Sequence, residues 1–268
     1  MHDITRTTSA TYMFLDYCSE GDLKSFIANF NKQKESQQGR QPNILPESEA
    51  RYIVREIVQG LTYLEENNII HRDIKLDNIL ANRKQGAPGT QICDYEFKLG
   101  DMGLAKQVES KTAMNSTFAG TPLAMAPELI NGKQYSFKAD VWSLGTLLFQ
   151  LLTGTHPFTG RNMEELKSNI KKGAYKIPRD IELSVECIDF LNSCLRFDTI
   201  KRKDWLELRN HMFLSQQRLF RENTRESFEL NVRQSMNLHQ VYQNKLLQQI
   251  EKKLEEHKNS KRRVSLLR

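Results

Sequence analysis

His71-Arg72-Asp73-Ile74-Lys75-Leu76-Asp77-Asn78 is the stretch on which the reading of this chain turns. It puts a carboxylate, an ammonium two residues on and a carboxamide five residues on along one tight loop. Short strand-like runs flank it, Ile69-Ile70 before and Asn78 to Leu80 after. A third run, Phe97 to Leu99, leads directly into Asp101-Met102-Gly103, so a second carboxylate stands 23 residues beyond Asn78 at a strand end. The insert between them, Asn82 to Glu96, carries Gly86, Pro88 and Gly89 and reads as an extended hairpin loop. Downstream come Gly120-Thr121-Pro122, Ala126-Pro127-Glu128 and Asp140-Val141-Trp142-Ser143-Leu144-Gly145. The last of these opens Ala139 to Leu152, apolar nearly all round, which predicts a buried central helix.

Working outward, Ala50, Ile53, Val54, Ile57, Val58, Leu61 and Leu64 recur at spacings of three and four and predict an amphipathic helix. Pro46 suits its first position, Glu47 and Glu49 suit its positive end, and Asn67-Asn68 suit its C-terminus. Toward the N-terminus, Thr11 to Tyr17 is aromatic and apolar and predicts a buried strand. Ser19 to Asp22 reads as a turn, Leu23 to Phe30 as a short helix, and Asn31 to Asn43 as a polar connector. From Met125 on the chain reads as mostly helical, with further helices at Met163–Lys171, Val185–Cys194 and Trp205–Arg209.

Of the 268 residues, 27% are charged and 38% hydrophobic, which allows a sizeable core and excludes a collagen, a membrane channel and a disulfide miniprotein. The net charge of +6 sits in one place: residues 215–268 hold 12 Lys and Arg against 6 Asp and Glu, and the body is neutral. No aromatic-interleaved basic motif accompanies that tail, so nucleic acid is not an expected partner. Leu238, Val241, Leu246, Ile250 and Leu254 form a weak helical stripe there, a candidate partner-binding helix. Cys18, Cys93, Cys187 and Cys194 are scattered, a reduced-thiol pattern, and Cys187 and Cys194 share one helix face and read as core. Met1 to Thr5 lacks the look of a signal peptide, and the apolar stretch Leu144 to Leu152 is too short to span a bilayer. The expected location is the cytoplasm, with the nucleus open.

The ordered set His71 to Asn78, Asp101 to Gly103, Ala126 to Glu128 and Asp140 to Gly145 resembles the eukaryotic protein kinase signature over roughly residues 2–214. The octet is highly specific; the Asp-x-Gly triplet alone is weak. The resemblance implies an α+β, protein-kinase-like fold. It would comprise a remnant of the small-lobe β-sheet (1–16), a mainly α-helical large lobe (17–214) and a partly helical or disordered basic tail (215–268). It implies ATP and Mg²⁺ as cofactors and protein hydroxyls as substrates. Asp73 would accept or orient the substrate proton, Lys75 would neutralise the transferring phosphate, and Asn78 and Asp101 would supply hard oxygen ligands to Mg²⁺. Lys75 resembles the Ser/Thr class rather than the tyrosine kinases.

Asp16, Tyr17 and Cys18 resemble the hinge that holds adenine, with Leu15 at the back of that pocket; Asp22, Asp77 and Leu80 complete the implied nucleotide surroundings. Leu15 and Tyr17 also read as plain strand-core residues. Met102 stands where the family usually has Phe. Asp101 to Glu128 corresponds to the activation segment, with Thr117 at the usual phosphorylated position, Arg72 as the phosphate's partner and Thr121 in the same regulatory stretch; Thr112 and Ser116 are weaker candidates. Glu128 with Arg202 resembles an ion pair bracing the lobe, and Asp140 a brace for the catalytic loop. Asp22 and Asp77 would favour basic side chains about three residues before the phosphosite, and Arg262-Arg263-Val264-Ser265 is such a site; Asp22 as a helix cap and the Arg pair as a solvated run is the simpler reading. Details such as Tyr17 to Leu23 and Gly120 to Glu128, Ala124 apart, look similar to the autophagy-initiating kinases.

The sequence contains no G-x-G-x-x-G and no lysine before Lys24, so the Gly-rich loop and strand lysine of the family are not among these residues. Weak nucleotide binding and low transfer activity are expected of the 268-residue polypeptide. Three readings stay open: a Ser/Thr kinase, a kinase-like decoy or scaffold that binds proteins without catalysis, and an interaction module working through the tail.

Overall fold

The computed structural model describes residues 3–7, 9–38, 43–108 and 121–215. Residues 1–216 form one compact unit and 217–268 a second, which lies outside the described residues. The helix expected in the tail, Arg262, Arg263, Ser265, Thr112, Ser116 and Thr117 therefore lie outside them too.

The centre is helix α4 (Lys138–Thr153), of whose 16 residues 14 are buried, Asp140, Ser143, Thr146 and Thr153 among them. Leu144, Leu147, Leu148, Leu151 and Leu152 point in several directions around its axis because neighbours surround it. Helix α2 (Glu47–Glu66) packs on it through the predicted apolar face, with Ala50, Ile53, Val54, Ile57, Val58 and Leu61 buried. Pro46 is the cap of α2 rather than its first residue, and Asn67 closes the other end. Helix α6 (Val185–Cys194) also packs on α4, with Cys187 and Cys194 buried as the spacing predicts. Gly145 permits that approach: a Cβ there would fall 2.6 Å from Cys194 Cβ.

Helix α1 (Leu23–Gln38) is twice the expected length and absorbs most of the predicted connector. Polarity suggested a loop, but Lys, Gln and Glu are good helix formers. Its buried residues Leu23, Phe26, Ile27 and Phe30 seat it on the core. Among the described residues the strands form three two-stranded sheets. β1 (Asp3–Arg6) pairs antiparallel with β2 (Thr11–Phe14). β3 (Ile69–Ile70) pairs with β6 (Lys106–Gln107), and β4 (Ile79–Arg83) with β5 (Tyr95–Leu99) in the register Ile79 opposite Leu99.

The buried strand predicted for Thr11 to Tyr17 is not found. Tyr12, Met13 and Phe14 are 55%, 62% and 53% exposed, so both faces of β2 meet solvent. Leu15 and Tyr17 are exposed as well. Of this apolar run Thr11–Phe14 forms a strand and Leu15 to Tyr17 does not, and among the described residues no layer covers it.

The remaining α-helices of the described residues are α3 (Pro127–Ile130), α5 (Met163–Lys172), α7 (Trp205–Arg209) and α8 (Met212–Ser215). Glu128 of α3 meets Arg202 in a fork-to-fork pair, Nη1 to Oε1 at 2.7 Å and Nη2 to Oε2 at 3.0 Å. Arg202 is fully buried, also donates to the Lys138 and Arg196 carbonyls, and lies over the Trp142 ring. No helix of the described residues is long and apolar enough to cross a membrane.

Breaking a buried ion pair strands its partner's charge. Arg202→Met is expected to lower the unfolding free energy by about 3–5 kcal/mol. In urea denaturation, the double variant with Glu128→Gln should lose less than the sum of the single losses. Strict additivity would remove the coupling.

Candidate active site

The loop His71 to Asn78 joins β3 to β4, and its shape is imposed from α4. Asp140, 2% exposed, accepts the His71 amide on Oδ2 at 2.8 Å and the Arg72 amide on Oδ1 at 2.9 Å. Burial pushes the Asp140 carboxyl up from its ordinary range, while His71 and the two amides oppose that rise. Arg72 adopts φ +71°, a left-handed conformation that a side chain disfavours and that these bonds hold in place. His71 is fully buried; its Nδ1 accepts the Asp73 amide at 3.4 Å, so Nε2 carries the proton and donates to the Gly100 carbonyl at 3.0 Å. The imidazole thus ties the loop to the strand end that precedes Asp101.

Asp73, 7% exposed, is where the side chains converge. Lys75 Nζ and Asn78 Nδ2 donate to its Oδ2 at 2.7 and 2.8 Å. The Thr121 amide and hydroxyl donate to its Oδ1 at 3.1 and 2.9 Å. Lys75 Nζ also reaches the Thr121 hydroxyl at 3.0 Å, and Asn78 Nδ2 the Asp73 carbonyl at 2.8 Å. Burial pushes the Asp73 carboxyl up, but the bonds from Lys75, Thr121 and Asn78 outweigh it and hold the group below the usual carboxylate range. Thr121, singled out for regulation, is in fact bonded to the central carboxylate. The sequence signal was its place between Gly120 and Pro122, which fixes the backbone but does not reveal the partner.

Asp101 sits at the end of β5 with φ +48° and caps the turn Met102–Leu104 by accepting the Gly103 amide at 3.0 Å. It is exposed. The Gly100 amide donates to the Asn78 carbonyl at 2.7 Å, so the Asn78 and Asp101 strand ends are bonded together. Among the described residues no group of three or more His, Cys, Asp and Glu is placed so that it could hold a metal ion. Asn78 spends its amide nitrogen on Asp73, Nδ2 donating to both the carbonyl and the carboxylate. One carboxylate and one amide oxygen are hard donors that suit Mg²⁺ shared with a nucleotide's phosphates, rather than an all-protein cage.

The residues that resemble a hinge, Leu15 to Cys18, and their neighbours are placed less simply. Glu20 and Gly21 pair through their backbones with Ala81, so this segment runs beside β4. Leu80 bridges to Asp22 and lies against Gly100, where a Cβ would be 3.1 Å from Leu80 Cδ1. Cys18 is half-buried, and burial pushes its thiol up. Exposed Asp16 pairs with half-buried Lys98 at 3.3 Å. Asp22 gives both carboxylate oxygens to Ser25, each at 2.9 Å, and so caps α1, as its simpler reading held. Asp77 is exposed.

A carboxylate whose pKa is depressed by folding stabilises the fold above its unfolded pKa and loses that stabilisation as pH falls through its folded value. Wild type is therefore expected to lose stability relative to Asp73→Asn as pH drops below about 4. Urea midpoints between pH 7 and pH 3 check this, and a pH-independent difference would contradict it.

Residues 1–214 match the protein kinase domain family. The serine/threonine-protein kinase ATG1a of Arabidopsis thaliana is 37% identical over 220 residues, which cover 81% of this chain and 32% of that protein. The serine/threonine-protein kinase atg1 of Dictyostelium discoideum is 31% identical over 76% of this chain and 27% of its own length. The serine/threonine-protein kinase ULK3 of Xenopus laevis is 34% identical over 76% of this chain and 40% of its own length. This chain thus spans well under half of these relatives. A helical body built on α4, a loop braced by Asp140 and a family match over four-fifths of the sequence agree: the chain belongs to the protein kinase domain family, and within it to the serine/threonine-protein kinases.

Proposed function

We propose that these residues transfer the γ-phosphoryl group of ATP to serine and threonine hydroxyls of proteins. The observation that carries the reading is the Asp73 carboxylate, on which Lys75, Asn78 and Thr121 converge. Phosphoryl transfer asks for in-line positioning and charge neutralisation more than for covalent chemistry. Four donors fill the carboxylate, so a substrate hydroxyl reaches it only when one yields. Lys75 is the natural one, since the incoming phosphate offers it a stronger partner. Asn78 and Asp101 would then hold Mg²⁺, which supplies charge neutralisation to the phosphates. The segment Leu15 to Cys18 with Leu80 would border the adenine. Exposed Asp77 favours a basic residue about three positions before the phosphosite; Asp22, engaged as a cap, contributes less. A phosphate on Thr117 would draw on the Arg72 protons that the described contacts leave over.

The second reading, a protein-binding scaffold without catalysis, draws on one observation: β2 exposes apolar side chains on both faces.

The test is transfer from ATP to a Ser/Thr peptide library, run on the longest natural chain that contains these residues and on the 268-residue polypeptide. Transfer by the longer chain, selective for upstream Arg and reduced about 100-fold or more by Asp73→Asn, is expected. Transfer that Asp73→Asn leaves unchanged would overturn the catalytic reading.

A further inference from the structure

One short stretch of chain holds Arg72 at both ends. Asp140, in the first turn of α4, accepts its amide, and Tyr135, just before α4, accepts a proton from Nη1 at 2.9 Å. The third contact of Arg72 leads elsewhere: Nε donates to the Leu104 carbonyl. Leu104 ends the turn that Asp101 caps, closed by Gly103 on Asp101 Oδ1 at 3.0 Å and by the Ala105 amide on the Met102 carbonyl at 3.0 Å. We infer that Tyr135 is a positioning residue, whose buried hydroxyl fixes the Arg72 fork so that Arg72 in turn fixes the Asp101 turn.

The argument is one of rigidity. A guanidinium is planar, with donors at fixed angles, so anchoring one edge aims the other. Tyr135 is 1% exposed and cannot move without disturbing the core, whereas Arg72 is only half-buried and would be free to swing into water. The turn has little else to hold it. Asp101, Met102, Gly103 and Leu104 are all exposed, and three residues are too few for a self-supporting helix. Its order comes from hydrogen bonds, and the one from Arg72 reaches back to the buried end of α4. On this account the turn is organised by a contact internal to the body, before any phosphate is placed on the activation segment. The catalytic consequence rests on the proposed role of Asp101 toward Mg²⁺; the strut itself does not.

Tyr135→Phe keeps the buried ring and removes only the hydroxyl. NMR amide exchange on the full 268-residue chain should then be about two- to tenfold faster at Gly103 and Ala105, the effect of one net hydrogen bond on a local opening. The β4 and β5 amides should be unchanged. Arg72→Lys, which keeps charge but loses the fork, should act alike. Unchanged exchange at Gly103 and Ala105, or an equal rise throughout the chain, would overturn the inference. Titration with Mn²⁺ alone, read as line broadening at Gly103 in wild type and Asp101→Asn, separates the two ideas. Broadening that Asp101→Asn leaves intact would remove the metal reading, while the Tyr135→Phe exchange still decides the strut.

Discussion

The carboxylate of Asp140, accepting two consecutive backbone amides from a loop almost seventy residues earlier, is the contact on which the rest of the site depends. It works because α4 is fixed on every side. A helix surrounded by core cannot shift, so its first-turn carboxylate is a stationary anchor. The amides of His71 and Arg72 are pinned to it, which sets the left-handed turn at Arg72 and delivers Asp73 to its position. Burying Asp140 is costly because burial disfavours the charged carboxylate, and the two charge-assisted bonds offset that cost.

Two further buried polar contacts extend the same logic. The His71 ring carries the constraint across to Gly100, and so to the strand end that bears Asp101. Glu128 and Arg202 tie α3 to the segment ahead of α7, keeping the chain after Thr121 in register with α4. Asp73 and Thr121 are therefore brought together from two sides by elements that each have a buried ionic anchor. The convergence on Asp73 is a property of the whole helical body, not of the loop alone.

Much of this was legible in the sequence, for reasons that differ by element. The α2 and α4 helices could be read because burial imposes a strict apolar pattern on them, and the Cys187–Cys194 spacing placed α6 likewise. The loop from His71 to Asn78 was legible as a motif, and the braces by Asp140 and by Glu128 with Arg202 came with the family resemblance. Other features left no local trace. The length of α1 was missed because its second half is polar, and propensity there outweighs pattern. β2 was read as buried because apolar composition reports what a strand can pack against, not what covers it. The bonds from Thr121 to Asp73 and from Arg72 to Tyr135 join residues 48 and 63 positions apart, which no spacing rule connects.

The most direct test of the central claim is a crystal structure of the Asp140→Asn variant. Its amide nitrogen would face a backbone N–H, donor against donor, so at least one of the two bonds must break. The account predicts that α4 keeps its place while Arg72 leaves φ +71° and Asn78 Nδ2 moves out of bonding range of Asp73. A loop that retains the 2.8 Å contact between Asn78 and Asp73 would contradict it.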